Sequence, residues 1–252
     1  MPQRGDKLRR FSFSELWGNI AVVQKDAMGI DLKTCRLVVF DLDGTLVDTF
    51  DDIAAAVNYV MKELGLSSYQ TGDVKIHVGN GARTLMAWAL NNASGKKPGW
   101  AQEALIDRAV ALWKGYYLDH PADHSHLYAG VLDMLGELKS RNIKTAVLSN
   151  KPHEVTERLL NILGIKELFD YIVGESERIS RKPAPDGICY LMNIAGAKPH
   201  ETWMVGDGEP DIRAGLAAGC HVCAVSYGVG GREELERLGA HCIVNNPMDI
   251  LT

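Results

Sequence analysis

Between Leu37 and Val244, short unbroken apolar runs alternate with stretches whose apolar residues recur every three to four positions. The runs are LVVF (37–40), KTAVLS (144–149), YIVG (171–174), TWMVG (202–206), HVCAV (221–225) and CIV (242–244). Continuous apolar runs of this length, rich in Val and Ile, suit strands buried on both faces. Helical spacing fills 130–142, 153–164, 185–196, 209–219 and 232–239, and four of these five stretches end at a glycine, the usual left-handed helix stop. Strands alternating with helices predict an α/β fold, a Rossmann-like parallel sheet with helices on both faces.

One interval breaks the rhythm. From 49 to 126 no credible strand appears, and the segments 51–65, 81–93 and 101–120 carry helical spacing instead. This is too long for a crossover. It predicts an inserted all-α cap domain (49–126) in an α/β core formed by 36–48 and 127–252, lying over the strand ends where such sheets bind ligands. The first 35 residues read as an extension without an assigned role. They lack both the long apolar stretch of a signal peptide and the acid-poor composition of a transit peptide.

Composition narrows the picture. A 46% hydrophobic and 23% charged chain is ordinary for a globular protein, and a net charge of -5 argues against a nucleic-acid partner. Without an apolar run of membrane-spanning length, no membrane association is expected. Five scattered cysteines read as reduced thiols of a cytoplasmic protein, and Cys220–Cys223 lacks a second pair with which to build a zinc site.

The chemistry lies after the strands. Asp41 and Asp43 follow the first run; Ser149, Asn150 and Lys151 close the second; Arg181 and Lys182 precede a helix; Asp207 and Asp211 follow TWMVG. In a parallel sheet these ends share one edge, so residues far apart in sequence converge. A lone aspartate there is most simply a turn or cap residue, but four acids with a serine and a lysine are poorly explained that way. Clustered carboxylates repel, and the remedy is a hard divalent cation such as Mg²⁺, bridged by Asp41 and Asp207 to a phosphate. Lys182 would add positive charge, and Ser149 with backbone N–H groups would bind phosphate oxygens. The pattern points to phosphoryl transfer to an aspartate.

In order and spacing, DLDGTLVD (41–48), VLSNKP (147–152), RKPAPD (181–186) and GDGEPD (206–211) resemble the four motifs of haloacid dehalogenase-superfamily phosphatases. The closest likeness is to phosphoglycolate phosphatase-like members with a helical cap, and it covers residues 36–252. The resemblance implies that Asp41 is the nucleophile and Asp43 the acid and base. Asp41, Asp207 and the Asp43 carbonyl would bind Mg²⁺, with Ser149, Asn150 and Lys182 on the phosphate and Asp211 supporting from behind. The fourth motif departs from the family in carrying Gly208 where a small hydroxyl residue is more usual. In the cap, HVGNGARTLM (77–86) looks like the family's glycine-rich loop, so Gly79, Asn80, Gly81 and Arg83 would face the leaving group; alternatively the glycines only shape a turn and Arg83 is solvated. HPADHSH (120–126) reads as a solvated hinge rather than a metal site.

The expected function is Mg²⁺-dependent hydrolysis of a small phosphorylated metabolite, 2-phosphoglycolate first, by a monomer or homodimer. A phosphomutase is the near alternative. A phospho-receiver-like signalling module is the alternative from another class, disfavoured by the insertion and by Asp43.

Overall fold

A computed structural model describes residues 29–93, 95–97 and 99–252. The chain enters the core through β1 (Leu37–Phe40), makes the two-residue strand β2 (Val47–Asp48), and then runs through four helices. These are α1 (Phe50–Glu63), α2 (Thr71–Lys75), α3 (Ala82–Asn91) and α4 (Glu103–Asp119). It returns through β3 (His126–Leu127), which pairs antiparallel with β2 where the chain leaves and re-enters the core.

Thereafter helix and strand alternate: α5 (Val131–Ser140), β4 (Lys144–Pro152), α6 (His153–Ile162), β5 (Tyr171–Glu175) and α7 (Asp186–Ala195). The chain closes with β6 (Thr202–Gly206), α8 (Glu209–Ala217), β7 (His221–Val225), α9 (Arg232–Leu238) and β8 (Cys242–Val244). Six strands form one sheet in the order β5-β4-β1-β6-β7-β8, and all its pairings are parallel.

The continuous apolar runs are explained by burial on both faces. Val38 and Phe40 pack with Met134, Leu138 and Leu159 of α5 and α6, while Leu37 and Val39 pack with Ile188, Leu191 and Ala214 of α7 and α8. Side chains alternate across a pleated strand, so one short run serves two helical layers. The α/β sheet with helices on both faces is therefore the architecture expected from the sequence.

Helices α1 to α4 surround an apolar cluster of their own, including Val57, Val60, Met86, Leu90 and Trp113. Val155 of α6 joins it, so the insertion rests on the sheet layer through this contact. Two features escaped the sequence reading: the short helix α2 and the β2–β3 ribbon. Most of the extension at 1–35 lies outside the described residues. Of its described part, Ile30 is buried and its N–H bonds to the carbonyl of Ile250 at 2.9 Å.

Candidate active site

Phe40 and Gly206 end their strands side by side, β1 lying between β4 and β6, so the residues that follow emerge on one edge. Asp41 sits centrally, 7% exposed, and its N–H bonds to the Val205 carbonyl at 2.9 Å. Lys182 Nζ approaches Asp41 Oδ1 and Asp211 Oδ1, each at 2.7 Å, and donates to the Leu148 carbonyl. The Asp211 approach has ion-pair distance without hydrogen-bond directionality. Burial alone pulls the Lys182 ammonium down, but Asp211 and Asp41 more than reverse it, so its net shift is upward.

Asp207 receives the Thr45 hydroxyl at 3.1 Å and the Val229 N–H at 2.7 Å, and no ammonium among the described residues. Burial, reinforced by Asp211 and Asp41, raises its carboxyl well above the usual range. Asp41 is pushed up to about 7, by burial first and then by Asp211, with Lys182 opposing. Gly44 presses against Asp207: its φ is +85°, and any Cβ there would strike that carboxylate. Gly208 offers its N–H to Asp211 Oδ2 at 3.1 Å, so the residue that departs from the family pattern still orients an acid.

Asp41, Asp207 and Asp211 bring one carboxylate oxygen each within 4.8 Å of one another, all buried. When ionised, these three carboxylates are offset by one ammonium, which pairs with Asp41 and Asp211 only, and the remaining negative charge is costly to bury and matches one divalent cation. The donor set is all oxygen, as Mg²⁺ prefers. Asp211 thus stands in the acidic cluster as well as beside Lys182, the two groups it was expected to support.

Asp43 is engaged differently. Its Oδ1 receives the Thr49 hydroxyl and the Lys151 ammonium, each at 2.6 Å. Lys151 is buried and also donates to Tyr117 Oη at 2.8 Å. Burial lowers the Lys151 ammonium, with Asp43 opposing. From sequence Lys151 was placed at the strand edge without a role, and Thr49 and Tyr117 were not singled out. Lys151 lay in plain view in VLSNKP, whereas Tyr117 reads as one more apolar-face residue of a helix.

Two cavities open on this edge. One, with about 430 Å³ of space open to solvent, runs from Asp41, Asp43 and Ser149 to His77, Gly81 and Trp113 of the insertion. The buried indole Nε1 of Trp113 has no hydrogen-bond partner among the described residues. The other, about 740 Å³, lies between Val78, Gly79 and Asn80 and the loops carrying Asp207 and Val229. Gly79, Asn80 and Gly81 therefore border the site. Gly81 precedes α3 at φ +85°, close against Arg181.

Arg83 differs from the first of its two readings and agrees with the second, a solvated position. It ion-pairs with Glu103 and Asp107 on the surface of the insertion and borders neither cavity, because two nearby acids on α4 capture it. Asn150 also differs. Its amide donates to the carbonyls of Gly79 (2.8 Å) and Lys182 (2.9 Å) and accepts the Lys182 N–H (2.9 Å), so its side chain is spent on backbone rather than phosphate. Ser149, 4% exposed, faces the first cavity and receives the Lys151 N–H at 3.2 Å. In the hinge, His120 meets Asp123 and His124 meets Asp52, and neither joins the acidic cluster.

A family model described as haloacid dehalogenase-like hydrolase matches residues 38–225. The chain is 34% identical over 217 residues to phosphoglycolate phosphatase of Chromobacterium violaceum, covering 86% of this chain and 95% of that one. It is 34% identical over 193 residues to phosphoglycolate phosphatase of Aquifex aeolicus, covering 77% and 85%. A crystal structure of a predicted phosphoglycolate phosphatase from Haemophilus somnus superposes with a TM-score of 0.81 at 30% identity, covering 86% and 97%.

Proposed function

The chain belongs to the haloacid dehalogenase-like hydrolases, and from that membership we propose that it is a Mg²⁺-dependent phosphatase acting on 2-phosphoglycolate through an aspartyl phosphate. The observation that carries the proposal is the buried cluster of Asp41, Asp207 and Asp211, with Lys182 on Asp41 and Asp211 and with Asp43 beside it on a separate network. Asp41, Asp207 and the Asp43 carbonyl, with Asp211 adjoining, would hold the cation. When bound, it would neutralise the carboxylates and the phosphate oxygens.

Asp41 attacks phosphorus, and the bond to the leaving oxygen breaks as Asp43 gives that oxygen a proton. Asp43 then takes a proton from the water that cleaves the acyl phosphate and restores Asp41. Lys182 and Ser149 hold phosphoryl oxygens, and Asn150 holds the two loops that frame them. Residues 49–126 act as a cap over the core of 36–48 and 127–252, excluding water from the reacting centre. The limited space between Asp43 and Trp113 suits a small leaving group, and the unpartnered Trp113 N–H suits an oxygen acceptor on it.

A screen of phosphorylated metabolites with and without Mg²⁺ tests the reading. We expect 2-phosphoglycolate to give the highest kcat/KM, with release of phosphate lost on chelation. Absence of phosphate release from any monoester overturns it.

A further inference from the structure

Lys151 is a fully buried ammonium that neither phosphate nor metal binding requires. Its partners join four parts of the chain: Asp43 just after β1, Thr49 at the outgoing hinge, Lys151 in β4, and Tyr117 in the last turn of α4. Lys151 donates to both Tyr117 Oη and Asp43 Oδ1, and the Thr49 hydroxyl donates to that same Oδ1. The Lys151–Tyr117 link forms only with α4 seated on the core. The Lys151 ammonium also lies over the Tyr117 ring, 4.5 Å from the centroid.

Among the described residues, all bonds to Asp43 fall on Oδ1, and both are donated to it. Two donors on Oδ1 fix the rotation of the carboxyl about its own axis and leave Oδ2 without a partner among the described residues. We propose that Lys151 and Tyr117 are positioning residues that hold the Asp43 carboxyl with Oδ2 toward the departing oxygen, and that Tyr117 makes this orientation depend on the docking of α4. The inference rests on the phosphatase reading above and goes beyond it in assigning residues outside the four motifs.

The test uses the need of the leaving group for a proton. Glycolate must be protonated as it leaves 2-phosphoglycolate, whereas acetate departs from acetyl phosphate as a stable anion of similar size. Tyr117→Phe keeps the ring and removes only the hydroxyl. The rate of the first step, read as the burst of glycolate release in a single turnover, should fall about 10-fold, and the burst of acetate release from acetyl phosphate should change less than about twofold. Lys151→Met should show the same selectivity with a larger amplitude. A fall of equal size on both substrates, or no fall on either in Tyr117→Phe, overturns the inference. If the unmodified protein hydrolyses neither compound, the phosphatase reading itself has failed; if it hydrolyses both, only the variants decide.

Discussion

The side chain of Asn150 bonds the carbonyl of Gly79, in the insertion, and the backbone of Lys182, in the core, within one amide. A residue after β4 therefore sets the spacing between the loop over the leaving group and the lysine that meets Asp41. Asn150→Ala leaves the buried Lys182 N–H and two carbonyls without this partner. We expect KM for 2-phosphoglycolate to rise about 10-fold with a smaller change in kcat, since a loosened loop costs binding more than chemistry. Steady-state kinetics decide it, and an unchanged KM sinks the idea.

Asp41→Asn should lower turnover by about four orders of magnitude or more, because the amide cannot form the acyl phosphate. It also removes a buried carboxyl that burial and Asp211 already push up to about 7. The thermal midpoint without metal should hold or rise. Loss of both activity and cooperative melting would instead make Asp41 a structural residue.

Much of this was legible in the sequence for a simple reason. A strand buried on both faces needs no alternation to be seen, so LVVF and TWMVG stood out, and the acids after them marked the sheet edge. The β2–β3 ribbon was not legible, since two residues per strand carry no period. Tyr117 was hidden for another reason. It lies in the apolar stripe of α4 and is fully buried, so only its hydroxyl, not its place in the pattern, belongs to the site. Asn150 could be placed at the edge, but spacing cannot say whether an amide turns to phosphate or to backbone. The side-chain direction of Arg83 was equally open until Glu103 and Asp107 appeared beside it.

Arg83→Ala should change KM for 2-phosphoglycolate less than about twofold, because its guanidinium is held at the surface by Glu103 and Asp107. A rise of about 10-fold or more would mean that the arginine leaves those acids and reaches the substrate.

The last prediction concerns pH and metal together. Burial pushes the Asp41 carboxyl from its ordinary 3.8 up to about 7, so between those values the folded protein holds a proton that the unfolded chain has lost. Stability contributed by this group therefore falls as pH rises, and the loss from pH 6 to 8 is on the order of 1 kcal/mol in metal-free protein. Burial and the same neighbours raise Asp207, which adds in the same direction. A divalent cation binds the ionised carboxylates and displaces those protons, so its stabilisation should grow over the same window. Thermal melts with and without Mg²⁺ should show a larger midpoint increase at pH 8 than at pH 6. In Asp207→Asn the increase should shrink at both pH values, because one of the buried ligands has become a neutral amide. An increase that is the same at pH 6 and 8, or that survives Asp207→Asn undiminished, would place the cation somewhere other than this cluster.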